Sequence, residues 1–332
     1  MTDHIALVYD LDHTLTTAYQ QTALFQDHLV NLQQEYGKRR ITKPDDYWKL
    51  VSKRVDLGIG YMEQILNDIQ NNIFAGITNE VLEKEYGPRL ELAPGLPDFF
   101  ERINEFCKQE GIKVDHHIVS VGLKPIIQGS KLAPYMKSIH ASEFEEDKEG
   151  NITGFKHVLG PTKKPNVVKD ICRGKGSDFK PFHEYDIFHR DILAFGDGQS
   201  DIEMFTYLKS RGATCFGVYP IGSSESYAKA HGNLGRCINI LVPRDYREKS
   251  DLERFVKKAI LQKRDRECID INPNMMHRYR YGKVFPSEAQ LIENHLRTNC
   301  PECKIEEELL AVPPRYTDKE DPLYHVKRNG FS

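Results

Sequence analysis

The sequence has no long hydrophobic run and no excess of charge of one sign. Its apolar runs are short, such as Ile5 to Tyr9, whereas a membrane-spanning helix needs about 20 apolar residues. The 46 Lys and Arg residues nearly balance the 49 Asp and Glu residues, which leaves a net charge of −3. This balance gives no broad positive field of the kind that attracts nucleic acid. We therefore expect neither a membrane nor nucleic acid as a partner.

Cysteine and tryptophan are scarce, with seven and one residues, and the amino terminus lacks the features of a secretion signal. An odd number of cysteines without regular spacing argues against a disulfide-stabilised scaffold. Met1 to His4 provide neither a basic flank nor the start of a long apolar segment. These features predict a cytoplasmic protein with reduced thiols. The length of 332 residues suggests roughly two domains.

Short apolar runs alternate with helical patterns along most of the chain, which predicts an α/β fold. Ile5 to Tyr9, Ile118 to Gly122 and Ile192 to Gly196 are typical of strands buried on both faces. Helices are expected between them, for example from Pro94 to Gly111. Such alternation predicts a doubly wound, Rossmann-like parallel sheet with helices on both faces. A hairpin is expected near 147–151, where acidic residues and glycine indicate a turn.

The helical patterns also suggest how the chain divides into domains. Residues 16–90 contain helical patterns only, separated by glycine and proline. We predict that residues 1–15 and 91–246 form a catalytic core and that 16–90 form an all-helical cap inserted after its first strand. Residues 247–332 are predicted to be a helical extension whose last roughly 20 residues are irregular.

Polar side chains stand where the predicted strands and helices end or begin, and they suit phosphoryl transfer. The carboxyl ends of parallel strands meet at one edge of a sheet, so these side chains should come together. A carboxylate at the end of a strand can attack phosphorus, and a second one, two residues later, can act as general acid and base. Other carboxylates would hold Mg²⁺, and a hydroxyl, backbone N–H groups and an ammonium would hold the phosphate. The residues concerned are Asp10, Asp12, Ser120, Gly122, Lys164, Asp197 and Asp201.

Each motif alone has a plain structural interpretation. The segment that begins at Asp10 can be a turn and a helix cap, and so can Gly196 to Asp201. Lys164 alone can be a solvated lysine. The order of all the motifs, each at the end of a strand or helix, favours the catalytic interpretation.

The segments Asp10-Leu11-Asp12-His13-Thr14, Ser120-Val121-Gly122, Lys164 and Gly196-Asp197-Gly198-Gln199-Ser200-Asp201 resemble the four motifs of the haloacid dehalogenase-like hydrolases. The likeness covers about residues 5–245, and the branch with a helical cap, which includes phosphoserine phosphatase, is the most similar. The resemblance implies that Asp10 is the nucleophile and a Mg²⁺ ligand. It further implies that Asp12 is the acid/base and a main-chain metal ligand, that Asp197 binds metal, supported by Asp201, and that Ser120 and Lys164 bind phosphate.

The chain departs from the family pattern at two positions, and other activities stay open. His13 stands where the family usually has glycine, and Lys163 competes with Lys164 as the motif lysine. Dehalogenation does not need a carboxylate at the position of Asp12. We therefore expect a phosphatase for a small phosphorylated substrate. The alternatives are a phosphomutase and a regulatory binding protein with a vestigial phosphatase core.

The predicted cap is basic between Lys38 and Arg54. This basic segment is either a face over an anionic substrate or a solvated helix surface. Tyr47 and Trp48 could flank a substrate ring, but packing in the core of the cap is the favoured interpretation. No residue here identifies the leaving group.

The segment after the predicted core contains a cluster of possible zinc ligands. Cys268, His295, Cys300 and Cys303 could complete a tetrahedral site, with His277 competing with Cys268. The stretch from Tyr281 to Cys303 resembles the zinc-binding anti-sigma-factor type of helical finger. The alternative is a zinc-free helical hairpin with small, buried cysteines. This extension could also contact a protein partner.

Overall fold

The structure is a computed structural model, and it describes residues 4–51, 60–174 and 185–264 together with residues 279, 286, 289, 292 and 293. Its strands, in chain order, are β1 (His4–Tyr9), β2 (Lys113–Leu123), β3 (Ser138–Glu146), β4 (Ile152–His157), β5 (Ile192–Gly196), β6 (Thr214–Tyr219) and β7 (Ile240–Pro243). They form one sheet in the order β4-β3-β2-β1-β5-β6-β7. Neighbours pair in parallel except β3 and β4, which form the predicted hairpin.

Helices separate the strands and confirm the predicted α/β fold. In chain order they are α1 (Thr22–Asp27), α2 (Leu29–Tyr36), α3 (Pro44–Val51), α4 (Gly60–Gln70), α5 (Asn79–Val81), α6 (Asp98–Gln109), α7 (Lys124–Gln128), α8 (Lys164–Arg173), α9 (Ile202–Lys209), α10 (Ser224–Leu234) and α11 (Asp251–Arg264). In the part of the chain that the structure describes, none of them is long and apolar enough to cross a lipid bilayer.

The central strand β1 is buried on both faces, as its continuous apolar run predicts. Its side chains point alternately to the two faces of the sheet. Ile5, Leu7 and Tyr9 belong to an apolar cluster with residues of α6 and α11. Ala6 and Val8 belong to a second cluster with residues of α8, α9 and α10. The sheet is therefore doubly wound, and β1 lies between two helical layers.

The helices α1 to α4 share a third apolar cluster that reaches beyond the predicted cap. It includes Leu123 and Ile126, next to the end of β2, and Phe144 and Ile152 from the hairpin of β3 and β4. Helix α11, assigned from the sequence to the C-terminal extension, packs into the first cluster of the core. The division into core, cap and C-terminal extension at residues 15, 90 and 246 stays a prediction. The contacts described here join these predicted parts.

Two elements begin at other positions than the sequence suggests. The strand expected from Ile118 begins at Lys113, because residues 113–117 also pair with β1, and the polar residues His116 and His117 are buried within it. The helix expected from Pro94 begins at Asp98. Gly95 has a φ of +91°, and a Cβ atom there would lie 2.2 Å from the backbone of Arg247. This close approach holds Gly95 outside the helix.

The two buried histidines predict that acid destabilises the fold. Burial lowers the pKa of His116 to about 4 and that of His117 to about 3, against about 6.5 in an unfolded chain. The unfolded state therefore binds protons first as the pH falls. The part of the unfolding free energy that depends on neutral histidines is complete above about pH 6.5 and is lost progressively below it. We expect each histidine to cost about 1 kcal/mol of unfolding free energy between pH 7.5 and 5.5.

Urea denaturation of the wild type and of His116→Gln at both pH values measures this effect. The variant should lose less stability than the wild type, since it lacks one of the two groups. Other titrating groups are common to both proteins and cancel in the difference. Parallel losses in the two proteins would contradict the assignment.

Candidate active site

Asp10 stands at the carboxyl end of the central strand. Its backbone N–H donates to the carbonyl oxygen of Phe195, at 2.9 Å, so the pairing of β1 with β5 extends to this residue. Asp10 as a whole is 4% exposed. Strand pairing on both sides of β1 thus fixes the backbone that carries this carboxylate, as the sequence predicted for a nucleophile.

A buried lysine joins two of the carboxylates. The ammonium of Lys164 lies 2.7 Å from Oδ1 of Asp10 and 2.7 Å from Oδ1 of Asp201. Lys164 is the first residue of α8 and is fully buried. Lys163 is exposed and donates to the carbonyl oxygen of Val158 at 3.1 Å. The geometry therefore favours Lys164 over Lys163 as the lysine of the site.

Three carboxylates converge in a geometry that fits a metal ion. One oxygen each from Asp10, Asp197 and Asp201 lies within 4.8 Å of the others. Asp197 directly follows β5, and Asp201 precedes α9, so the ends of two adjacent strands supply the cluster. Carboxylate oxygens are the ligands that Mg²⁺ prefers. The residues present therefore fit the ion that the sequence predicts.

Burial and the crowding of negative charge raise the pKa values of Asp12, Asp197 and Asp201. Burial, followed by the charge of Asp10, raises the pKa of Asp12 to about 7, and the same causes raise that of Asp197 well above its usual range. Burial raises the pKa of Asp201 to about 6. Burial alone would lower the pKa of Lys164, but Asp10 and Asp201 raise it above its usual value. A bound divalent cation would offset this repulsion.

Asp12 is held by a residue that the sequence analysis missed. The backbone N–H of Gln20 donates to Oδ1 of Asp12 at 2.7 Å, and its side-chain Nε2 lies 3.5 Å from Oδ2. Gln20 lies between β1 and α1, outside all four motifs. A lone glutamine in a loop has no characteristic spacing, so only the structure relates it to the acid/base candidate.

Ser120 and Gly122 lie near the end of β2, where its pairing with β3 is irregular. Ser120 is 1% exposed, and its Oγ accepts a hydrogen bond from the N–H of Gly122 at 3.1 Å. A Cβ atom at Gly122 would lie 1.6 Å from Nε2 of Gln20. The missing side chain at Gly122 therefore provides the space that Gln20 occupies.

The loop after Asp10 is fastened to the last part of the core. His13, which replaces the usual glycine, has a φ of +57°. A guanidinium N–H of Arg244 donates to the carbonyl oxygen of His13 at 2.7 Å, and the hydroxyl of Tyr246 donates to that of Thr14 at 3.2 Å. These bonds compensate a backbone conformation that histidine adopts less readily than glycine. Arg244 and Tyr246 lie outside the four motifs.

A row of four rings, here called the aromatic stack, runs from this loop to α3 and α4. Centroids are separated by 4.4 Å between His13 and Tyr19, 4.2 Å between Tyr19 and Trp48, and 4.9 Å between Trp48 and Tyr61. The hydroxyl of Tyr61 donates to the carbonyl oxygen of Val121 at 2.6 Å, within the Ser120 motif. The aromatic stack therefore joins two of the four motifs to α3 and α4.

Three further sequence predictions concern two aromatic residues, the basic segment and the zinc ligands. Tyr47 is buried in the third apolar cluster and its hydroxyl donates to Asp68, and Trp48, which is partly exposed in the aromatic stack, packs against the same cluster. The basic side chains described there are exposed, which favours the solvated surface: Lys38, Arg39, Arg40, Lys43 and Lys49. The zinc candidates Cys268, His295, Cys300 and Cys303, with the competing His277, lie outside the described residues, so that site stays a sequence prediction.

The chain is similar to known proteins in sequence and in fold. It is 26% identical, over 230 residues, to an uncharacterised protein of Borreliella burgdorferi, which covers 62% of this chain and 79% of that protein. A substrate-bound phosphoserine phosphatase complex matches with a TM-score of 0.48 and 18% identity, over 77% of this chain and 99% of that one. The structure of a gene product from Archaeoglobus fulgidus matches with a TM-score of 0.47 and 11% identity, over 79% and 84% of the two chains.

The sequence profile of a hydrolase family matches a large part of the chain. The match extends over residues 7–206, and so it includes Asp10, Ser120, Lys164 and Asp197. It begins in β1 and ends in α9, so it spans the elements that carry these side chains. The chain belongs to the haloacid dehalogenase-like hydrolase family.

Proposed function

We propose that this hydrolase is a Mg²⁺-dependent phosphatase that cleaves a small phosphate monoester through an aspartyl phosphate on Asp10. The observation that carries the proposal is the contact of a buried ammonium, Lys164, with both Asp10 and Asp201 beside a third converging carboxylate. A buried lysine between carboxylates lowers the repulsion that an anionic nucleophile exerts on an anionic phosphate.

In the first step, one oxygen of Asp10 attacks phosphorus and the bond from phosphorus to the ester oxygen breaks. Lys164 holds Oδ1, whereas Oδ2 of Asp10 accepts no hydrogen bond from the residues that the structure describes. Asp12, in its protonated form, gives its proton to the departing alkoxide. We assign the phosphate oxygens to the hydroxyl of Ser120 and to backbone N–H groups beside Gly122, whose own N–H donates to Oγ of Ser120.

In the second step, water cleaves the aspartyl phosphate. Asp12, now a carboxylate, takes a proton from the water as it attacks phosphorus, which regenerates Asp10 and releases inorganic phosphate. Asp10, Asp197 and Asp201 would hold Mg²⁺, which supplies positive charge to the phosphate oxygens during both steps. Asp10 and Asp12 thus act in both half-reactions, and Asp12 is protonated before the first step and ionised before the second.

Removal of the metal tests this proposal directly. We expect the purified protein to hydrolyse p-nitrophenyl phosphate with Mg²⁺, to lose nearly all of this activity in excess EDTA, and to regain it when Mg²⁺ is restored. A melting curve in EDTA shows whether the fold persists without metal, so that lost activity is not mistaken for unfolding. Full activity in EDTA would contradict the proposed metal dependence.

A further inference from the structure

Gln20 lies between two parts of the proposed catalytic site. It is 1% exposed although glutamine is a polar residue that is seldom fully buried. Burial of an amide is costly unless its polar atoms are hydrogen-bonded. Both polar atoms of this side chain have partners: Asp12 belongs to the first motif of the site, and Leu123 directly follows the motif that ends at Gly122.

The amide of Gln20 can adopt only one orientation. Its Oε1 accepts a hydrogen bond from the backbone N–H of Leu123 at 2.8 Å. A backbone N–H can only donate, so the atom that faces it must be the oxygen of the amide. The NH₂ group then points away from Leu123 and lies 3.5 Å from Oδ2 of Asp12.

The position of Gln20 is also fixed by the shape of its surroundings. The end of β2 leaves room for the amide because Gly122 has no Cβ atom, which would lie 1.6 Å from Nε2. Gln20 makes two contacts with the carboxyl group of Asp12. The shorter one, at 2.7 Å, joins the backbone N–H of Gln20 to Oδ1. Gln20 thus approaches both oxygens of Asp12 while it is anchored to β2.

We propose that Gln20 is a positioning residue that fixes the orientation of the Asp12 carboxyl group relative to the phosphate-binding end of β2. This role rests on the proposed phosphatase function. A carboxyl group on a loop can rotate about its side-chain bonds, and general acid catalysis requires it within hydrogen-bond reach of the leaving oxygen. The side chain of Gln20 restricts that rotation from one side, and its backbone N–H does so from the other.

The dependence of the rate on the leaving group distinguishes this role from a merely structural one. Leaving groups that are strong bases need a proton from Asp12, whereas p-nitrophenolate needs little help. The value of kcat/KM reports the steps up to release of the alcohol, and so it isolates the acid role from the later base role.

The test compares Gln20→Met with the wild type on p-nitrophenyl phosphate, phenyl phosphate and glycerol 2-phosphate, all with Mg²⁺. Methionine keeps the length of the side chain but removes the amide. We expect kcat/KM to change less than about threefold for p-nitrophenyl phosphate and to fall about tenfold or more for glycerol 2-phosphate, with phenyl phosphate between them. Gln20→Asn, whose amide is too short to reach both partners, should produce the same trend if Gln20→Met does not fold.

Gln21→Met is the matched control. The Gln21 side chain is fully buried and its amide has no hydrogen-bond partner among the described residues. Its loss should leave the dependence on the leaving group unchanged. Equal losses on all three substrates in the Gln20 variants, or no loss, would overturn the positioning role while the wild type remains a phosphatase. A wild type without activity on any of them would instead overturn the proposed function and this role with it.

Discussion

Replacement of Asp10 by asparagine should lower the turnover of p-nitrophenyl phosphate by at least about three orders of magnitude. Asparagine keeps the shape of the side chain and can still accept a hydrogen bond from Lys164. It cannot form an acyl phosphate by attack of an anionic oxygen. Steady-state rates at saturating substrate and Mg²⁺ measure the loss, and near-normal turnover would contradict the proposed mechanism.

A melting measurement and a control variant distinguish loss of the nucleophile from loss of the folded state in this experiment. Lys164 also contacts Asp201 at 2.7 Å, and this contact does not involve Asp10, so thermal melting should show that the variant is folded. Asp170→Asn makes the same chemical change at an exposed position on α8. That control should retain the rate of the wild type.

Replacement of Asp12 by asparagine should trap the aspartyl phosphate on Asp10. With p-nitrophenyl phosphate the first step needs little acid catalysis, whereas the second step still needs a base for the attacking water. The phosphorylated protein should therefore accumulate toward one phosphate per chain, with turnover reduced about 100-fold or more. Acid quench followed by intact-mass measurement detects the added phosphate.

The trapped species has a specific chemical identity that can be checked. The double variant Asp10→Asn with Asp12→Asn should show no added phosphate, since it lacks the attacking carboxylate. Hydroxylamine should release the phosphate from the single variant, because an acyl phosphate reacts with this nucleophile. Equal loss of both half-reactions without any phosphorylated protein would remove the assigned role of Asp12.

The parts of the fold that follow from local patterns could be predicted from the sequence. The continuous apolar run from Ile5 to Tyr9 predicted a strand buried on both faces, and it placed Asp10 directly at the end of that strand. The same reasoning placed Asp197 after β5. Parallel strands bring their carboxyl ends to one edge, so the convergence of these carboxylates followed from the topology alone.

What could not be predicted depends on contacts between distant residues. His116 and His117 look polar in the sequence, yet hydrogen bonds to Tyr9 and Ser138 allow them to be buried in β2. The contact of Gln20 with Leu123 joins residues that no periodicity relates. Periodic patterns report the burial of one element, whereas such contacts depend on how several elements pack.

The aromatic stack gives this protein a built-in optical probe. Trp48 is the only tryptophan in the chain, so the red-shifted part of the intrinsic fluorescence comes from a single place on α3. Tyr19 and Tyr61 lie close enough to transfer excitation energy to it. A movement of α3 away from the loop at His13 would separate Trp48 from Tyr19 and lower that transfer. Stopped-flow fluorescence of the unlabelled protein can therefore detect such a movement of α3 in real time.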